Sequence, residues 1–71
     1  MVLWHSLNGM VTVQIVGADT AATLSRLQDS GVTVYDIIRT DDLTLRFRIR
    51  RQDLKITKRI VQKKGDRLRI V

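Results

Sequence analysis

Arg46, Arg48 and Arg50 are the residues of this chain best suited to act on a partner. A guanidinium stays charged at any ordinary pH and presents a planar fork of N–H donors that matches phosphate and carboxylate oxygens. Spaced at every second position, the three point to one side of an extended strand. Thr44 shares that side, while Leu43, Leu45, Phe47 and Ile49 take the other. Leu43–Arg50 therefore reads as a strand with one dry face and one cationic face. Arg67 and Arg69, interleaved with Leu68 and Ile70, repeat the pattern near the end of the sequence.

Other combinations of reactive residues carry less. His5 beside Ser6 pairs a base with a hydroxyl, but nothing nearby in the sequence completes a nucleophile–base–orienter set. Asp41 and Asp42 are adjacent in a polar turn, where solvated carboxylates are the ordinary reading. Gly17-Ala18-Asp19 ends a strand and opens a helix, a place where a loop could hold a small ligand or a phosphate. A single glycine is, however, a weaker signal than a glycine-rich loop. With no cysteine and one histidine, disulfides, thiolate metal sites and multi-histidine metal sites within one chain are excluded. We expect no enzyme, no metal and no cofactor.

The charge is uneven along the chain. Lysine and arginine number 13 against 7 acids, all of them aspartate, for a formal net charge of +6. Every basic residue except Arg26 lies at or after Arg39. Such asymmetry suits an anionic partner (nucleic acid, membrane headgroups or an acidic protein), or solvation alone. No apolar run is long enough to span a bilayer, and the opening Met1–Leu7 has no basic region ahead of a signal-peptide core.

Seventy-one residues suffice for one small domain. Residues 1–8 form an apolar lead-in, in which Trp4 and Leu7 could pack as a helical turn on the sheet. After the Asn8-Gly9 turn, residues 10–16 alternate as strand one, with Val11, Val13 and Ile15 inward. Asp19 is an expected N-cap for a helix over 20–30, with Ala21, Leu24, Leu27 and Gln28 on one face and Gly31 at its C-terminal stop. Residues 32–39 form strand two, whose alternation is broken by apolar Val32/Val34 and Tyr35/Ile37. A bulge or a covered outer face would account for the break, and an apolar patch on this edge strand could make a homodimer contact. Thr40-Asp41-Asp42 is the expected hairpin turn before the strand over 43–50. Helix two follows from 51 to 64, with Asp53 near its cap. Leu54, Thr57, Ile60 and Val61 face inward, and Lys55, Lys58, Arg59, Gln62 and Lys63 face water. Gly65 stops this helix, and strand four turns Leu68 and Ile70 inward.

This order of elements predicts an α+β fold, a ferredoxin-like βαββαβ sandwich. Its antiparallel sheet has spatial order 4-1-3-2, and both helices cover one face. The uncovered face is expected to collect Thr12, Gln14, Thr44, Arg46, Arg48, Arg67 and Arg69, together with Arg39. RNA-recognition motifs bind bases on this face through aromatics of the two central strands. Those strands offer Gln14, Arg46 and Arg48 here, so stacking and phosphate contact would fall to arginine. Small-ligand domains of the amino-acid-sensing (ACT) type use the loop that Gly17 and Asp19 occupy.

Several motifs in succession resemble the amino-terminal region of the YqfD-type stage IV sporulation proteins. They are Leu7-Asn8-Gly9 with the strand Val11–Val16, then Gly17, Leu24-x-x-Leu27, and Gly31-Val32-x-Val34-Tyr35-Asp36-Ile37-x-Arg39. They continue with Phe47-x-Ile49, Asp53-Leu54, Ile60-Val61-x-Lys63 and Arg67-x-Arg69-Ile70. Tyr35 departs from the pattern, since relatives often carry a larger aromatic there. The resemblance implies that the domain over 9–71 is the cytosolic front end of a longer membrane protein, with basic residues on the cytoplasmic side. It implies a non-enzymatic interaction domain linked to sporulation. Such a domain would dock a partner protein or the anionic membrane surface through Arg39, Arg46, Arg48, Arg67 and Arg69, or through Lys55, Lys58, Arg59 and Lys63. Single-stranded nucleic-acid binding and ligand sensing at Gly17 and Asp19 are the alternatives.

Overall fold

The computed structural model describes residues 9–71. The expected packing of Trp4 and Leu7 and the His5–Ser6 pair lie outside the described residues. The elements are β1 (Met10–Val16), α1 (Thr20–Asp29), β2 (Tyr35–Asp41), β3 (Thr44–Arg50), a 3-10 turn (Arg51–Asp53), α2 (Leu54–Lys64) and β4 (Arg67–Ile70). All strand pairs are antiparallel, in the order β2-β3-β1-β4. This is the expected α+β ferredoxin-like arrangement, with β1 and β3 at the centre.

Strict alternation in the central strands generates the core. Val13, Ile15, Leu45, Phe47 and Ile49 are buried together with Leu27, Val32 and Val61. Phe47 is fully inaccessible and is the largest side chain in the cluster. Val11, Leu24, Leu54, Ile60 and Leu68 pack around its rim.

Strand two begins later than the pattern predicts, at Tyr35 rather than at Val32. The cause lies in the end of α1. Gly31 takes the left-handed conformation, with φ 91°. Its N–H donates to the Gln28 carbonyl, and the Val32 N–H donates to the Leu27 carbonyl, each over 3.0 Å. This Schellman closure turns Val32 inward onto Leu27, so Val32 ends a helix instead of starting a strand. The broken alternation further on is a β-bulge: the register slips between Tyr35 and Ile38, and Asp36 takes φ 50°. A second slip falls between Arg39 and Asp41.

Four other expectations are corrected. Asp41 belongs to β2, so the hairpin turn is Asp42-Leu43 and Leu43 is exposed there rather than in the core. In α1 the buried stripe is Thr20, Thr23 and Leu27, while Ala21 and Gln28 face water. Two threonines on an inward face hide the period from a count of apolar residues. Helix two starts at Leu54 and not at Arg51, because residues 51–53 form a 3-10 turn; Asp53 is its N-cap residue as expected, without a side-chain capping bond. Ile70 shares the inner side with its partner Val13 but is half exposed, because β4 is a short edge strand.

A candidate anion-binding face

The antiparallel register arranges the open side of the sheet in rows. Arg69, Gln14, Arg46 and Ile38 lie opposite one another across β4, β1, β3 and β2. One row along, Thr12 lies opposite Arg48, which faces Tyr35. On the other flank Arg67 lies opposite Val16, which faces Thr44. Residues directly opposite share a face, so Arg46, Arg48, Arg67 and Arg69 come together with Thr12, Gln14 and Thr44. Arg50, opposite Met10, belongs to the same face.

Few of these cations are neutralised. Arg48 Nη1 lies 3.3 Å from Asp36 Oδ2, the one ion pair among the described residues. Arg46 Nη2 donates to Gln14 Oε1 over 3.0 Å. Arg46 Nε is buried and has no acceptor. Arg50 Nη2 donates to the Tyr35 hydroxyl over 3.0 Å, and its Cζ sits 5.9 Å from the ring centroid, a cation–π contact. The face thus includes an aromatic, on the edge strand and not on the central pair. Simple alternation in strand two would have placed Tyr35 out of register with Ile38; the bulge puts both beside the arginines.

Arg39 does not join this cluster. It lies opposite Leu45, a core-facing residue, and its Nη1 donates to the carbonyls of Asp41 and Asp42 over 3.4 and 3.3 Å. At this hairpin end the Leu43 N–H donates to Asp41 Oδ1 over 2.9 Å, and this bond holds the Asp41 carboxyl below the usual aspartate range. Lys55, Lys58, Arg59 and Lys63 are exposed on α2. That helix packs through Thr57 and Val61 on the opposite side of the sheet, so the two sets of cations point away from each other.

The Gly17 loop is closed by the protein itself. Asp19 caps α1, its Oδ1 accepting from the Ala22 N–H over 3.1 Å. The Gly17 N–H donates to the Leu43 carbonyl over 2.9 Å. Against Gly17 lies the carboxylate of Asp66, which is buried and accepts a hydrogen bond from the Thr23 hydroxyl. Asp66 owes its position to a second Schellman closure: Gly65 has φ 92°, and the Asp66 N–H donates to the Val61 carbonyl over 3.0 Å. The motif sends the residue after its glycine inward, Val32 in one case and Asp66 in the other. The parallel between Gly31-Val32 and Gly65-Asp66 is the sequence signal that would have found this buried acid.

Fold and face together define a class: a small ferredoxin-like α+β domain with an arginine-bearing open sheet face. Among the described residues no helix is long and apolar enough to cross a membrane, and no group of three or more candidate ligands could hold a metal ion. No curated protein matches the chain. The model of the family described as "Putative stage IV sporulation protein YqfD" matches residues 5–71, and the chain belongs to that family. The match spans the whole described domain and carries a sporulation-related role with it.

Proposed function

We propose that this is a non-enzymatic docking domain of a sporulation-associated membrane protein, and that its arginine face engages the anionic surface of the inner leaflet. The observation that supports this reading is the imbalance on one sheet face. Arg46, Arg48, Arg50, Arg67 and Arg69 share that face with a single paired acid, Asp36. An open cationic sheet face suits an anionic surface, and each Lys or Arg held near such lipid contributes about 1 kcal/mol. The domain would sit on the cytoplasmic side, where anionic lipid and positive flanking residues coincide. Co-sedimentation with vesicles tests it. Binding should require phosphatidylglycerol, and Arg46→Ala with Arg48→Ala should weaken it by about 30-fold, from about 2 kcal/mol lost. Equal binding to neutral vesicles, or none to either, would sink the reading.

A second reading rests on Tyr35. An aromatic beside Arg48 and Arg50 on an open sheet is also a platform for a single-stranded base. Under that reading a labelled oligonucleotide binds with steep salt dependence, and Tyr35→Ala costs about 1–3 kcal/mol.

A further inference from the structure

The arginine face is not uniform. Its β4 end differs from its β2 end in three respects, and together they describe a built site. First, Gln14, Val16, Arg67, Leu68 and Arg69 line a shallow cavity of about 320 Å³. Arg67 and Arg69 project from one edge strand, with Gln14 opposite Arg69 and Arg46 the next residue across. Second, hydrogen-bond donors exceed acceptors. The Gln14 carboxamide oxygen is spent on Arg46 Nη2, while Arg46 Nε is buried with no acceptor. A buried donor without a partner is costly, so a group that drew the Arg46 side chain toward the cavity would recover a bond that the free protein lacks. Third, no carboxylate side chain lies within ion-pair distance of Arg46, Arg67 or Arg69. All seven acids fall within the described residues, and the one ion pair they form is Asp36 with Arg48, at the far edge.

Donors carried side by side on three adjacent strands suit a tetrahedral oxyanion better than a flat carboxylate, which one guanidinium fork satisfies alone. We propose that Arg67, Arg69, Gln14 and Arg46 form a discrete oxyanion site that takes the phosphodiester of a glycerophospholipid headgroup. The choice of lipid as the source rests on the docking function proposed above; the site itself rests on the cavity and the unpartnered donor. On this view the remaining arginines supply attraction to the surface as a whole, and this corner supplies the directional contact.

The 71-residue chain is titrated with inorganic phosphate, then with short-chain phosphatidylglycerol below its micelle concentration, while the arginine Nε–H resonances are followed. Chloride at matched ionic strength is the control. Saturable shifts of the Arg46, Arg67 and Arg69 resonances with both phosphates and not with chloride support the site. Arg69→Lys keeps the charge but loses the fork, and should weaken phosphate binding about tenfold or more. Arg26→Ala removes one charge from the helix side and should change it less than about twofold. Shifts spread evenly over all basic residues, or an Arg69→Lys protein that binds as the parent does, overturn the site. If Arg69→Lys still requires phosphatidylglycerol vesicles and binds them undiminished, the discrete site falls and the docking function stands. If a thymidine oligonucleotide shifts the same three resonances at far lower concentration than the lipid, the lipid assignment is overturned.

Discussion

Gly17→Ala is expected to destabilise this domain sharply, for a reason visible only in three dimensions. Gly17 does not have a positive φ, so backbone strain is not the cause. A methyl group there would overlap the Asp66 carboxylate, whose more distant oxygen, Oδ2, would lie 2.7 Å away. The carboxylate would have to rotate off and abandon the Thr23 hydroxyl, a bond to a charged acceptor worth about 1.5–3 kcal/mol. Thr23 retains a weak alternative in the Asp19 carbonyl at 3.4 Å, which recovers a little. The net cost is about 1–3 kcal/mol, against a total stability of about 4–10 kcal/mol for a chain of this length. In thermal unfolding that corresponds to a fall in Tm of about 5–20 °C. A double-mutant cycle isolates the cause. With Asp66→Ala in place, the new methyl has lost the group it would strike, and Gly17→Ala should cost less than about 1 kcal/mol. An unchanged cost in the Asp66→Ala background would refute this account.

Two further predictions concern the β2–β3 hairpin. The Asp41 carboxyl is held below its ordinary value chiefly by the Leu43 N–H, with the Thr44 hydroxyl next. A carboxyl whose folded pKa is depressed adds stability above its unfolded pKa, and that contribution disappears as pH falls through the folded value. The Asp41 carboxyl carbon should therefore titrate below an ordinary aspartate by NMR, and Asp41→Asn should remove a small stabilisation present at neutral pH and absent in strong acid. The Asp36–Arg48 pair is exposed on both sides, so Asp36→Asn, which tolerates the φ of 50° there, should change stability by less than about 1 kcal/mol in denaturant titration.

The fold was legible because its signals were redundant. Alternation in 10–16 and 44–50 set the sheet faces, and Gly31 and Gly65 marked both helix stops. Four of the arginines could be placed from alternation alone, since β1, β3 and β4 pair without a slip. Arg39 could not, because its strand contains two register shifts, and each shift moves a side chain off the face that counting assigns. Thr20, Thr23 and Asp66 were missed for a different reason. Thr23 and Asp66 receive each other across positions far apart in sequence, while Thr20 is buried with its hydroxyl unpartnered. Gly65 marks locally that Asp66 turns inward, but nothing local names Thr23 as its partner.

The place of β1 has a consequence for the order of events during synthesis. It is made first among the strands yet sits between β3 and β4, so its second edge stays open until Arg67–Ile70 exist. The Thr23–Asp66 bond waits for the same residues. At about 5–20 residues per second, the stretch from 51 to 70 takes roughly 1–4 s to make. Throughout that interval the backbone groups of residues 13–16 that face β4 have no partner strand. Strand β4 therefore acts as the closing seam, and slow translation across α2 would keep the second edge of β1 open to a foreign strand for longer.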